Sequence, residues 1–175
     1  QLPSVTSGDT NDLQPEMEAI KYAIYLNPDR ASMFFAKRVL IVEGATEVAL
    51  IHKLIDDGLI KPKAAGFVIV DSIGKFNTHR FMNLLSKLGI EHSVLHDKDP
   101  NKQLQTEVNQ LIAESSTIQT IAIDQLDPDL EGFLSLPNPG RSDRKPQSAI
   151  FTYVSGNIDN IKLESFCKVV ERLLS

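Results

Sequence analysis

Six acidic residues in this 175-residue chain have types and spacing that suit metal chemistry: Glu43, Glu47, Asp97, Asp99, Asp129 and Glu131. Glu43 directly follows the apolar run VLIV, and Glu47 lies about one helical turn later. Asp97/Asp99 and Asp129/Glu131 are both i, i+2 pairs. On an extended segment such a pair can point the same way. Each acid alone reads as a solvated charge, because carboxylates are favoured at helix N-termini and DxD pairs are common in turns. Gathered together they would repel, and some would have to protonate unless hard cations neutralised them. An all-carboxylate donor set matches Mg²⁺ or Mn²⁺ rather than zinc or copper. Four or more carboxylates can hold two such ions about 3.5–4 Å apart, the arrangement used to cleave phosphodiesters.

The elements that must gather these acids are legible as alternating patterns. Val39–Val42, Gly66–Ser72, the segment HSVLHDKD and Thr117–Asp124 read as strands. Between them, Thr46–Ile55, Asn77–Leu88 and Asn101–Glu114 show apolar residues at helical spacing, and Gly58 and Gly89 serve as stops. Strand–helix alternation of this kind predicts an α/β fold with a mainly parallel sheet flanked by helices, joined by right-handed crossovers. Ligands of such sheets bind beyond the carboxyl ends of the strands. Glu43 and Asp97/Asp99 fall at those ends, and Asp129/Glu131 follow the fourth strand.

The remaining segments supply extra helical elements at the termini. Residues 1–36 read as a polar tail and helical lead-in, the latter in PEMEAIKYAIYL. Residues 37–150 read as the catalytic core and 151–175 as a C-terminal helical segment. Gln125–Lys145 is rich in Pro, Gly, Asp and Ser, with a helical turn expected at Leu130–Leu134. A further helix is expected from Pro146, and a last one over Ile158–Leu174. The chain begins at Gln1 rather than Met, so it is read as a piece of a longer protein.

Composition narrows the function classes. A net charge of −5 speaks against holding nucleic acid by bulk electrostatics. Two divalent ions would bring −5 to −1, so the global charge does not exclude such a partner. No apolar run approaches the roughly 18 residues that span a bilayer, so no membrane partner is expected. The single cysteine, Cys167, rules out an internal disulfide and suits a cytoplasmic location. It reads as a buried structural thiol.

At these residues the sequence resembles a TOPRIM (Rossmann-like) domain, the metal-binding module of topoisomerases, primases and several nucleases. The shared pattern is a strand ending in Glu43-Gly44, the central Gly74, and a strand ending in Asp97-Lys98-Asp99. More narrowly, FFAKRVLIVEGATEVALI, with Glu47, together with DLEGFL and Lys145-Pro146, resembles the catalytic region of OLD-family (overcoming lysogenization defect) nucleases. The resemblance implies a divalent-metal-dependent DNA endonuclease, with all six acids ligating two Mg²⁺ or Mn²⁺ ions. Glu43, Asp97 and Lys145 would be the catalytic residues, Lys145 stabilising charge on the scissile phosphate. Asp129 stands where some members have a hydroxyl residue. Arg141 and Arg144 are rivals for the role of Lys145. The implied partners are DNA, an N-terminal ABC-type ATPase region and, by family resemblance, a helicase. No G-x-x-x-x-G-K-[ST] phosphate loop occurs, so this chain alone is not expected to hydrolyse ATP.

Two rival readings accompany this one. One is a HAD-like phosphohydrolase using the Asp97/Asp99 pair; the other is a non-catalytic, partner-binding TOPRIM domain. His52, His79 and His92 read as structural or solvated, and His96 alternates away from Asp97 and is not expected to ligate. IGKFN (Ile73–Asn77) has one glycine and is no phosphate cradle by itself; a DNA contact by its backbone or Lys75 is the weaker reading.

Overall fold

The computed structural model describes residues 27–100 and 103–175. The helix expected in PEMEAIKYAIYL lies outside them. The chain divides into two compact units, Gln1–Ser32 and Met33–Ser175. In the first, the described residues form one short helix, α1 (Pro28–Ala31). The Asn27 side chain caps it by accepting from the Asp29 and Arg30 N–H groups.

The second unit is an α/β fold. Its four strands are β1 (Arg38–Val42), β2 (Phe67–Asp71), β3 (Glu91–Asp97) and β4 (Thr120–Leu126). They form one sheet in the order β2-β1-β3-β4, and every pairing is parallel. Crossovers run through α2 (Ala45–Asp56), α3 (Thr78–Lys87) and α4 (Gln103–Glu114). After β4 come α5 (Leu130–Leu134), α6 (Lys145–Val154) and α7 (Asn160–Leu173).

The central strand β1 explains why its sequence is a continuous apolar run. Val39 to Val42 are fully buried, as expected where helices cover both faces of a parallel sheet. Leu40 and Val42 join a core built with α2, α5, α6 and α7, including Leu50, Leu54, Leu134, Ala149, Phe166 and Val170. On the other side α3 packs against β1 and β3, and α4 packs against α3; they bury Phe81, Met82, Leu85, Val108 and Ile112. Among the described residues, no helix is long and apolar enough to cross a membrane.

Some element boundaries differ from expectation. β4 begins at Thr120 rather than Thr117, because residues 117–120 close a turn. In it the Thr120 N–H donates to the Thr117 carbonyl at 3.0 Å, and the Thr120 hydroxyl accepts from the Thr117 N–H at 3.1 Å. The strand continues to Leu126. Helix α6 starts at Lys145, one residue before the expected Pro146, and runs to Val154. β3 ends at Asp97 rather than continuing through Asp99.

Candidate metal centre

β1 is flanked by β2 on one side and β3 on the other, so the chain steps one way to β2 and then crosses back past β1 to β3. A crevice opens beyond the strand ends at such a switch point. Glu43 is the residue after β1, and Val42 pairs with Leu95, two residues before Asp97. The Asp97 N–H points at Glu43 Oε2 at 3.4 Å.

Asp99 reaches the same place by a turn rather than by the pleat of an extended pair. It lies outside β3 with φ of 48°, a left-handed conformation that Asp tolerates better than most residues. The Asp99 N–H donates to the Pro128 carbonyl at 2.8 Å, tying the end of β3 to the loop after β4. Glu43, Asp97 and Asp99 each offer one carboxylate oxygen, and these lie within 4.8 Å of one another. Among the described residues no other group of three or more His, Cys, Asp or Glu meets that criterion.

The other three acids surround this cluster with prior engagements. Glu47, in the first turn of α2, folds back so that Oε2 accepts from the Gly44 N–H at 3.1 Å, and it is buried. Asp129 caps α5, its Oδ1 accepting from the Gly132 N–H at 2.6 Å. Gly132 admits no side chain there, since a Cβ would stand 2.7 Å from Pro128 Cγ. Glu131 Oε1 is held by Lys145 Nζ at 2.8 Å.

The electrostatics record the crowding. Burial pushes the Asp97 carboxyl up to about 8, and Glu43, Glu47 and Asp99 add to the shift. Glu47 is pushed up to about 7, again chiefly by burial, with Glu43 and Glu131 contributing. Glu43 is raised by burial too, against the opposing pull of the Asp97 N–H and Lys75. These are carboxylates that lack positive charge, the condition a hard divalent cation relieves.

The donor set is oxygen alone. His96, beside Asp97, has Nδ1 2.9 Å from the Asp97 carbonyl and Nε2 3.4 Å from Gln125, and burial lowers it to about 4. His92 is fully buried, its ring between the Ile90 carbonyl and the Thr120 hydroxyl. His52 is exposed and His79 half-buried, each on a helix. Carboxylates without imidazole or thiolate fit Mg²⁺ or Mn²⁺.

Of the three rival cations, Lys145 is the one on an acid of this edge. Glu131, Asp97 and Asp129 all raise its ammonium. Arg141 instead pairs with Asp143 at 2.8 Å, and Arg144 is exposed.

Two participants were not assigned to the site from sequence. The Leu130 N–H, at the start of α5, donates to Asp97 Oδ1 at 2.9 Å. An Asp129 cap immediately before a short helix was the available signal, since a helix start leaves free N–H groups. Lys75 is the second. Read from sequence as no more than a minor DNA contact, it has a side chain 1% exposed, and its Nζ lies 3.2 Å from Asp99 Oδ2. The turn at Gly74, with φ of 95°, leads the chain into the 3₁₀ turn Lys75–Asn77 and carries the lysine inward.

Residues 34–99 match the model of the overcoming lysogenization defect protein-like TOPRIM domain. No curated protein matches the chain. Among solved structures, the C-terminal region of the Xanthomonas campestris pv. campestris OLD protein, phased with iodine, is similar at 17% identity. That match covers 81% of this chain and 85% of the other, with a TM-score of 0.37. Asp129, Glu131 and Lys145 lie beyond the segment that the family model matches. The segment 34–99, which is similar to the OLD-like TOPRIM domain, carries Glu43, Glu47, Asp97 and Asp99.

Proposed function

We propose that this domain cleaves DNA phosphodiester bonds as a divalent-metal-dependent endonuclease. The observation that carries the reading is the convergence of Glu43, Asp97 and Asp99 at the switch point of the sheet. Glu43, Asp97 and Asp99 would hold one Mg²⁺ or Mn²⁺, with Glu47, Asp129 and Glu131 as donors for a second. When bound, a pair of such ions supplies an activated water and stabilises the leaving oxygen.

The chain's own residues set the stage. Leu130 fixes Asp97 through its N–H, and Glu43 accepts from the Asp97 backbone, so the central carboxylates are oriented before a ligand arrives. Lys145 is partly exposed on an ion pair with Glu131. Its ammonium can turn from that acid to the scissile phosphate and neutralise charge that develops there. The proposed partners are DNA, an ATPase region elsewhere in a longer protein and a helicase. The buried lone thiol of Cys167 accords with a cytoplasmic setting.

Nicking of supercoiled plasmid tests the reading. Activity should require Mg²⁺ or Mn²⁺ and be lost in Asp97→Ala. Undiminished nicking by that variant would refute it, and phosphatase activity without DNA cleavage would favour a phosphohydrolase built on Asp97 and Asp99.

A further inference from the structure

We propose that Lys75 is a built-in counter-cation of the acid cluster: a positioning residue that holds Asp99 and supplies part of the positive charge the three carboxylates need. This rests on the cation-binding reading of Glu43, Asp97 and Asp99.

Lys75 is among the largest fully buried side chains of the described residues, at 2% exposure. Lysine is almost never fully buried unless paired, and the partner here is Asp99, at 3.2 Å. A surface role is closed to it, because an ammonium on a side chain 1% exposed cannot meet a phosphate in solvent.

The loop that delivers it is held against its own preference. Ile73 has φ of 61°, a conformation rarely adopted by a β-branched residue, and Gly74 follows with φ of 95°. Hydrogen bonds lock the turn, among them one from the Ser72 hydroxyl to the Gly74 carbonyl at 3.1 Å. The Ile73 N–H donates to Asp71 Oδ1 at 3.0 Å, and Asn77 Nδ2 donates to the Ile73 carbonyl at 3.0 Å. The Asn77 N–H donates to the Gly74 carbonyl at 3.0 Å, and the Gly74 N–H to the Glu43 carbonyl at 2.9 Å. The last bond ties the loop directly to the metal centre.

Charge then defines the role. Ionised Glu43, Asp97 and Asp99 carry three negative charges, Lys75 returns one, and a single divalent ion would return two. Lys75 plus one ion leaves the cluster neutral. Lys75 therefore steadies the cluster before an ion arrives and weakens the ion's hold afterwards, since like charges repel strongly away from water.

The test is Lys75→Met, close in volume and uncharged, compared with the wild-type chain by Mn²⁺ titration calorimetry and by melting in EDTA and in Mn²⁺. The expected result is Mn²⁺ affinity at least tenfold tighter, a lower melting temperature in EDTA, and a larger rise on adding Mn²⁺ than the wild type shows. Equal losses of melting temperature in EDTA and Mn²⁺ with unchanged affinity, or a weaker affinity, would overturn it. If Lys75→Met does not fold in EDTA, folding on addition of Mn²⁺ supports the proposal. If it folds in neither, the double variant Lys75→Met/Asp99→Asn decides. A stable double variant supports an unpaired charge as the cause, whereas an unfolded one reduces Lys75 to packing and overturns the role. Failure of the wild type to bind Mn²⁺ would defeat the cation reading and this inference together. Wild-type binding that Lys75→Met does not tighten defeats this inference alone.

Discussion

Two lysine–carboxylate pairs bracket the acid cluster, and they differ in burial. Lys75–Asp99 spans 3.2 Å with side chains 1% and 21% exposed; Lys145–Glu131 spans 2.8 Å with side chains 34% and 17% exposed. The first lysine is delivered by a strained loop tied to Glu43, the second by the first residue of α6. A charge enclosed with one partner has nowhere else to go, and removing that partner is costly. A charge at the solvent edge can exchange partners at little cost. The same chemistry therefore yields a fixed structural charge on one side and a movable one on the other.

The largest effect expected from this contrast is in stability. Asp99→Ala strands a buried ammonium and should cost about 3 kcal/mol in urea unfolding with EDTA, whereas Glu131→Ala should cost less. An exposed pair is worth about 1 kcal/mol or less. Equal costs would break the comparison. Activity should show the opposite asymmetry: Lys145→Met should slow plasmid nicking by roughly 10²–10³-fold while barely moving the unfolding midpoint.

Stability should also depend on pH. Asp97 and Glu47 titrate near 8 and 7 in the fold, against ordinary values of 3.8 and 4.5. Native protein thus keeps protons that the unfolded chain has already released. Their contribution to stability is greatest below about pH 4 and falls as pH rises towards 8. Melting in EDTA across that window should show the decline, and Mn²⁺ should reverse it most at pH 8. Metal affinity should rise over the same range as protons cease to compete. A local effect is expected away from both pairs: Gly132→Ala forces a Cβ into the Pro128 ring and should cost about 1–3 kcal/mol by thermal melting.

Much of this architecture is written in local pattern. The apolar run before Glu43 is the fully buried central strand, and strand–helix alternation implies the parallel order that brings Glu43 and Asp97 to one edge. What was not legible depends on backbone turns that no periodicity reports. Asp99 converges through a left-handed residue, not through strand alternation, and Lys75 turns inward because Ile73 and Gly74 both take positive φ. Sequence proximity does not distinguish Lys145, Arg141 and Arg144, since all three are close in the chain. The engagement of Arg141 by Asp143 and of Lys145 by Glu131 separates those two.

The central claim is that Glu43, Asp97 and Asp99 form a divalent cation site. Anomalous scattering from a crystal of the chain soaked in Mn²⁺ tests it most directly. The account predicts a Mn²⁺ peak between these three carboxylates, lost in Asp97→Asn. A well-ordered crystal with no peak there, or one unchanged in that variant, would contradict it.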